Sequence, residues 1–192
     1  MRKLVVVFFL LLSITSLSFG EMKTKLDKLP DIAVQAIELL HELNLINVSS
    51  TDIVMVEKLR PWLKTKGYDK FVSKEKLEKL LASNAFTLVN IPGGQLLPPY
   101  LPIYIRKDTY LWNENIVRAQ FVDKQFAVGV IASIIIHEFI HAFGWDNEVV
   151  AIEAELKGLY AMREKGYFKG KNAEAYIAEA EKALELARKE VQ

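Results

Sequence analysis

Residues 126–155 read FAVGVIASIIIHEFIHAFGWDNEVVAIEAE. The first eighteen or so of these are apolar nearly all round, the pattern of a helix buried on every side at the centre of a domain. Within that run stand His137, Glu138 and His141. Buried ionisable groups are costly unless they are paired or bound to a metal. A helix advances about 100° per residue, so positions i and i+4 share a face. His137 and His141 therefore present two imidazoles to one metal ion. Glu138, one step round, reaches a water on that ion. This is the spacing of a zinc hydrolase, H-E-x-x-H. The alternative is a core helix with satisfied histidines and a capped glutamate. The chain has only three histidines, and two of them fall at ligand spacing, which weighs against it.

A catalytic zinc commonly takes three protein ligands and a water. The residues just downstream offer the third. Gly144 suits the left-handed residue that ends a helix. Asp146 or Asn147 then caps a second helix, running from about residue 147 to 165 and stopping at Gly166. Four acids compete: Asp146, Glu148, Glu153 and Glu155. On a helical wheel with Glu148 at zero, Ile152, Leu156 and Leu159 lie at about 40°, 80° and 20°. Glu155 falls at about −20° and Glu153 at about 140°. Glu148 and Glu155 thus border the inward face, and Glu153 lies on the wet side. Glu148 is nearest the turn and is the ligand of choice. Glu155 is the candidate for an outer carboxylate that fixes a histidine ring. Asp146 reads as a cap. The remaining histidine, His41, is a conceivable ligand, but its flanking residues give no support.

These residues resemble an HExxH zincin metallopeptidase, closest to the glutamate-ligand (gluzincin-like) branch. His137 and His141 match the two histidine ligands, and Glu138 matches the general base. Asn147-Glu148-x-x-Ala151 is similar to the N-E-x-x-A segment that carries the third ligand there. The spacing departs from that pattern, since only six residues separate His141 from Glu148. His141-x-x-Gly144 also resembles the metzincin turn, but Asn147 stands where that branch needs His or Asp. The resemblance covers about twenty residues. It implies Zn2+ as cofactor and a peptide or protein as substrate. In zincins an edge strand beside the metal helix binds the extended substrate backbone, which points to residues 103–106.

Composition bounds the rest. The chain has 192 residues, enough for one domain, and 51% are hydrophobic, ample for a core. A net charge of +1 suggests neither nucleic acid nor an anionic surface. There is no cysteine, which excludes a disulfide framework, a thiolate metal site and a cysteine nucleophile.

At the start, Arg2 and Lys3 precede an apolar run, and Ser18-Phe19-Gly20 places small residues at a cleavage site. Residues 1–20 thus read as a signal peptide. The run is shorter than the ~20 apolar residues that span a bilayer. An uncleaved anchor is the competing reading and would bring membrane proximity. Either way the domain is expected to be secreted or periplasmic.

Residues 21–192 form the single domain. Residues 29–46 are an amphipathic helix. Residues 50–67 are expected to be helical, broken or restarted at Pro61. Ser73 caps a short helix through Leu81. Residues 85–91 are β-prone, and Pro92-Gly93-Gly94 and Pro98-Pro99 mark a loop. Pro102 suggests that residues 103–106 form an edge strand. Lys107-Asp108 turns the chain into Thr109–Trp112 as a hairpin partner. Residues 172–191 are a final amphipathic helix capped by Asn172. Tyr104, Tyr110, Tyr160 and Tyr167 are open as oxyanion donors, unranked against packing roles.

The expected fold is α+β, a mostly helical zincin-like domain with a small sheet or hairpin beside the HExxH helix. The expected function is hydrolysis of peptide bonds by a water that zinc and Glu138 activate. The competing class is a non-catalytic extracytoplasmic binding or scaffold protein with a structural or degenerate metal site. A cleft above the histidines separates the two.

Overall fold

The computed structural model describes residues 29–70, 72–87, 102–145 and 147–191. The signal-like residues 1–20, most of the loop after Thr87 and the suggested cap Asp146 lie outside them. Among the described residues the elements are α1 (Asp31–Glu42), β1 (Ile53–Val56), α2 (Leu59–Thr65), α3 (Lys74–Ala82), β2 (Ala85–Thr87) and β3 (Ile103–Arg106). They continue as a wide helical segment (Trp112–Arg118), a tight turn (Ala119–Phe121), α4 (Lys124–Ala142), α5 (Glu148–Glu164) and α6 (Lys171–Glu190). The protein is mostly helical with one small mixed sheet, the α+β class that the pattern implied.

Helix α4 is the hub. Asp123 starts it, its Oδ1 accepting from Phe126 N–H at 3.0 Å. From Phe126 to Ile136 every residue is buried. By length and composition alone α4 is long and apolar enough to cross a membrane, but most of it is enclosed by the rest of the fold. Helices α1 and α5 and the sheet pack around it. Each Ile or Leu so buried contributes roughly 1.5–3 kcal/mol, so this one helix supplies much of the drive for folding.

The sheet runs β1-β3-β2. β1 pairs with β3 in parallel, Ile53 opposite Ile103 and Val56 opposite Arg106. β2 pairs antiparallel on the other side, Phe86 opposite Tyr104. Alternation along the strands divides two cores. Ile53, Ala85, Ile103 and Ile105 join the main core with α4. Val56, Phe86 and Tyr104 face the other way, onto Leu59, Leu63 and Leu80 of α2 and α3. There Tyr104 stacks on Phe86 with ring centres 5.1 Å apart.

Several sequence expectations are corrected here. Residues 50–67 are not helical throughout, since the branched run Ile53-Val54-Met55-Val56 is strand β1. Helix α2 then begins at Leu59, so Pro61 sits in its first turn, where its missing N–H costs no bond. β3 is the central strand and not an edge. Pro102 precedes the strand, so the ladder loses no donor. Thr109–Trp112 is not a strand either. Thr109 Oγ1 accepts from Trp112 N–H at 3.2 Å and turns the chain into a helix. Helix α6 is capped by Gly170, whose φ is +96°, and not by Asn172. Ser73 does cap α3, accepting from Lys76 N–H at 3.1 Å.

Candidate metal centre

The site forms where α4 ends and α5 begins. Phe143 is the last residue of the cap, and Gly144 follows with a φ of +87°, a conformation that glycine adopts without strain. The chain reverses there. Asn147 starts α5 by accepting from Val149 N–H at 2.9 Å. Glu148 is thereby the first residue of α5, facing the last turn of α4.

Three side chains meet. His137 Nε2 and His141 Nε2 are 3.3 Å apart. Glu148 Oε2 lies 3.3 Å from His137 Nε2, and Glu148 Oε1 lies 3.5 Å from His141 Nε2. A tetrahedral zinc with bonds of about 2.0–2.2 Å holds its ligand atoms roughly 3.3–3.5 Å apart. Right-angled octahedral bonds of that length would bring them nearer 3.0 Å. The two imidazole nitrogens are thus at a tetrahedral separation, and the carboxylate meets each of them through a different oxygen, within 4.8 Å as a set. Among the described residues these three are the group able to hold a metal ion. The chemistry of the set, two imidazoles and one carboxylate, suits zinc with one position left over.

The far nitrogens of both rings are also held. His137 Nδ1 is 3.2 Å from Glu155 Oε2. His141 Nδ1 is 2.9 Å from the Trp145 carbonyl oxygen. Such partners fix the rings and leave each Nε2 free to ligate. Glu155 thus stands where an outer carboxylate was expected. Glu153 turns away and pairs with Arg188 at 2.8 Å. His41 is remote in role: its Nε2 is 2.6 Å from the Val48 carbonyl, which ties the end of α1 to the following loop.

Glu138 lines the same cavity and is only 9% exposed. Burial pushes its carboxyl up, the two histidines pull it partly back, and it settles at about 7. Burial lowers the His137 imidazole, but hydrogen bonds to Glu148 and Glu155 outweigh that and raise it to about 10. The bond to Glu148 likewise raises His141. In return the two rings hold the Glu148 carboxyl far below its usual range.

The cavity has a volume of about 770 Å³. His137, His141, Glu148 and Glu138 form one wall, and α3 with β2 forms another. Tyr176 of α6 also lines it, although it was not among the tyrosines singled out. Those four are elsewhere. Tyr104 is in the small core, Tyr110 is exposed, and Tyr160 and Tyr167 donate to Glu181 and Glu42. Two further groups escaped the sequence reading. The Trp145 carbonyl leaves no trace in composition. Tyr176 did leave a signal: it shares the inward stripe of α6 with Ala173, Ile177 and Ala180.

Comparison of the chain with family models, with curated proteins and with solved structures finds no match.

Proposed function

We propose that this protein is a zinc-dependent metallopeptidase acting outside the cytoplasm on peptides or proteins. One observation carries the reading: His137, His141 and Glu148 bring one ligand atom each within 4.8 Å of the others on the wall of an open cavity. A purely structural zinc is typically closed by four protein ligands. Three ligands beside a cleft favour catalysis over a scaffold role.

His137, His141 and Glu148 hold the ion. A zinc held there would supply the lowered pKa of a bound water and the polarisation of a substrate carbonyl. Glu138 takes a proton from the attacking water and delivers it to the departing amine nitrogen. The substrate lies along β2. Among the described residues β2 pairs on one side only, with β3, and it lines the same cavity. An extended peptide adds to such an edge through main-chain hydrogen bonds. β3, buried between two partners, has no edge to offer.

Metal analysis of the purified protein together with Glu138→Gln tests the reading. One zinc per chain in both forms, with hydrolysis of a casein or peptide library lost only in the variant, is the expected result. A wild-type protein that takes up no zinc, or a variant that cleaves as fast as wild type, overturns it.

A further inference from the structure

Behind the triad runs a chain of polar groups that the proposed reaction does not consume. Glu155 places Oε2 3.2 Å from His137 Nδ1. Its other oxygen, Oε1, is 3.5 Å from the Tyr176 hydroxyl. That hydroxyl is 3.2 Å from Ser133 Oγ. Ser133 is fully buried, its Oγ also 3.0 Å from the Val130 carbonyl; turned to the tyrosine oxygen, the serine proton leaves the tyrosine's own proton for Glu155. The path leaves α4 at Ser133, crosses α6 and α5, and returns to α4 at His137, one turn further on.

We propose that Tyr176 is a positioning residue of the metal centre: its hydroxyl, braced by Ser133, holds the Glu155 carboxylate against His137 Nδ1 and so keeps Nε2 turned toward the ion. The proposal rests on the reading of His137 as a metal ligand. A lone glutamate on a helix samples several rotamers, and a single contact to an imidazole does not select one. A second contact at the opposite oxygen does. The ring that carries the hydroxyl is itself seated. Phe126 and Phe168 meet it edge to face, with ring centres at 6.2 and 6.0 Å. Burial and the neighbouring Glu155 push the phenol far above its ordinary value, so it stays a proton donor throughout the working pH range. With both neighbours engaged, this hydroxyl is not placed as an oxyanion donor. Helix α6 is thus part of the site and more than a cover for α5.

The test is Tyr176→Phe, which removes the hydroxyl and keeps the packed ring. The zinc dissociation constant is expected to rise roughly three- to tenfold, less than the 10- to 100-fold typical of losing a direct outer partner, which is the expectation for Glu155→Ala. Adding Tyr176→Phe to Glu155→Ala should change nothing further, because the tyrosine acts through that carboxylate. A residue that merely supported the fold would add its effect in the double variant. Ser133→Ala, which leaves the tyrosine in place, should move affinity in the same direction by less.

A readout without metal separates the two readings. In chelator-treated protein labelled with 15N, the His137 Nδ1 proton should exchange with solvent several-fold faster in Tyr176→Phe than in wild type. Equal exchange, or additive losses in the double variant, overturns the role of Tyr176. Failure of the wild type to bind zinc overturns the metal reading instead, and the exchange comparison still decides for or against Tyr176.

Discussion

Ile136 lies directly against Gly158: a Cβ at position 158 would collide with Ile136 Cδ1. Ile136 immediately precedes His137 on α4, and Gly158 lies about one turn beyond Glu155 on α5. The glycine therefore sets how closely the helix bearing both histidines approaches the helix bearing both carboxylates. Gly158→Ala is the first prediction. Alanine favours a helix by about 1 kcal/mol, whereas overpacking a tight contact costs about 1–3 kcal/mol. Cδ1 is the movable end of its side chain, so the clash should win only narrowly, giving a small net loss of stability in urea unfolding and slightly weaker zinc binding. A gain in stability would mean that the helices are not held this closely.

Glu148 contrasts with Glu153, five positions along the same helix. Glu148 reaches both imidazoles, while Glu153 faces Arg188. Glu148→Ala should weaken zinc by more than the 10- to 100-fold associated with outer partners, since a ligand itself is lost. Glu153→Ala should leave affinity unchanged and shift stability by no more than about 1 kcal/mol, the scale of an exposed ion pair. Competition with a chromogenic zinc chelator measures both. Equal affinities in the two variants would remove Glu148 from the ligand set.

The local part of this site was legible in the chain, and the non-local part was not. His137, Glu138 and His141 are fixed by helix period, and Gly144 and Asn147 announce the bend that returns Glu148. All of that lies within a dozen residues. Strand β1 was missed because its partner is remote: Ile53 pairs with Ile103. Four apolar residues between helix-forming segments do not declare a parallel pairing across such a distance. β3 was placed at an edge on the strength of Pro102, which stands just before the ladder and so does not bar a second neighbour. Tyr176 reaches Glu155 only because α6 folds back over α5, and its place depends on packing that sequence spacing does not encode.

A pH prediction follows from the histidines. In chelator-stripped protein His137 is raised from 6.5 to about 10. A raised base binds more protons folded than unfolded. Its stabilising contribution is therefore complete below 6.5 and is lost as pH climbs to about 10. Glu138, raised by burial from 4.5 to about 7, acts with the same sign at lower pH, its contribution lost between 4.5 and about 7. Glu148 has the opposite sign, and its contribution disappears only as pH falls below 4.5. The stripped protein should thus lose Tm steadily on going from neutral to alkaline pH, and His137→Asn should flatten that slope. Zinc competes with protons for the same nitrogens, so the Tm gained on adding zinc should grow with pH. Thermal scans at several pH values, with and without zinc, check both signs.

Arg106 supports the opposite wall of the cavity. It is only 5% exposed, and its Nη1 donates to the carbonyls of Leu80, Leu81 and Ser83 at 2.8, 3.0 and 2.8 Å. Its Nε pairs with Asp108 Oδ1 at 2.9 Å, and Asp108 Oδ2 accepts from Leu59 N–H at 3.1 Å. One guanidinium thus ends α3, leads the chain into β2 and ties both to the start of α2. Losing the guanidinium leaves carbonyls of the α3 end without their donor, at about 1–3 kcal/mol, while Asp108, itself exposed, returns to water. Arg106→Met should cost that much. Arg106→Lys keeps the charge but not the fork and should recover only part of it. Leu80 and Ser83 line the cavity, so the lysine form should raise KM for a peptide substrate more than it lowers kcat, while zinc content stays at wild-type level. Loss of zinc in the lysine form, or an unchanged KM, would separate this arginine from the substrate wall.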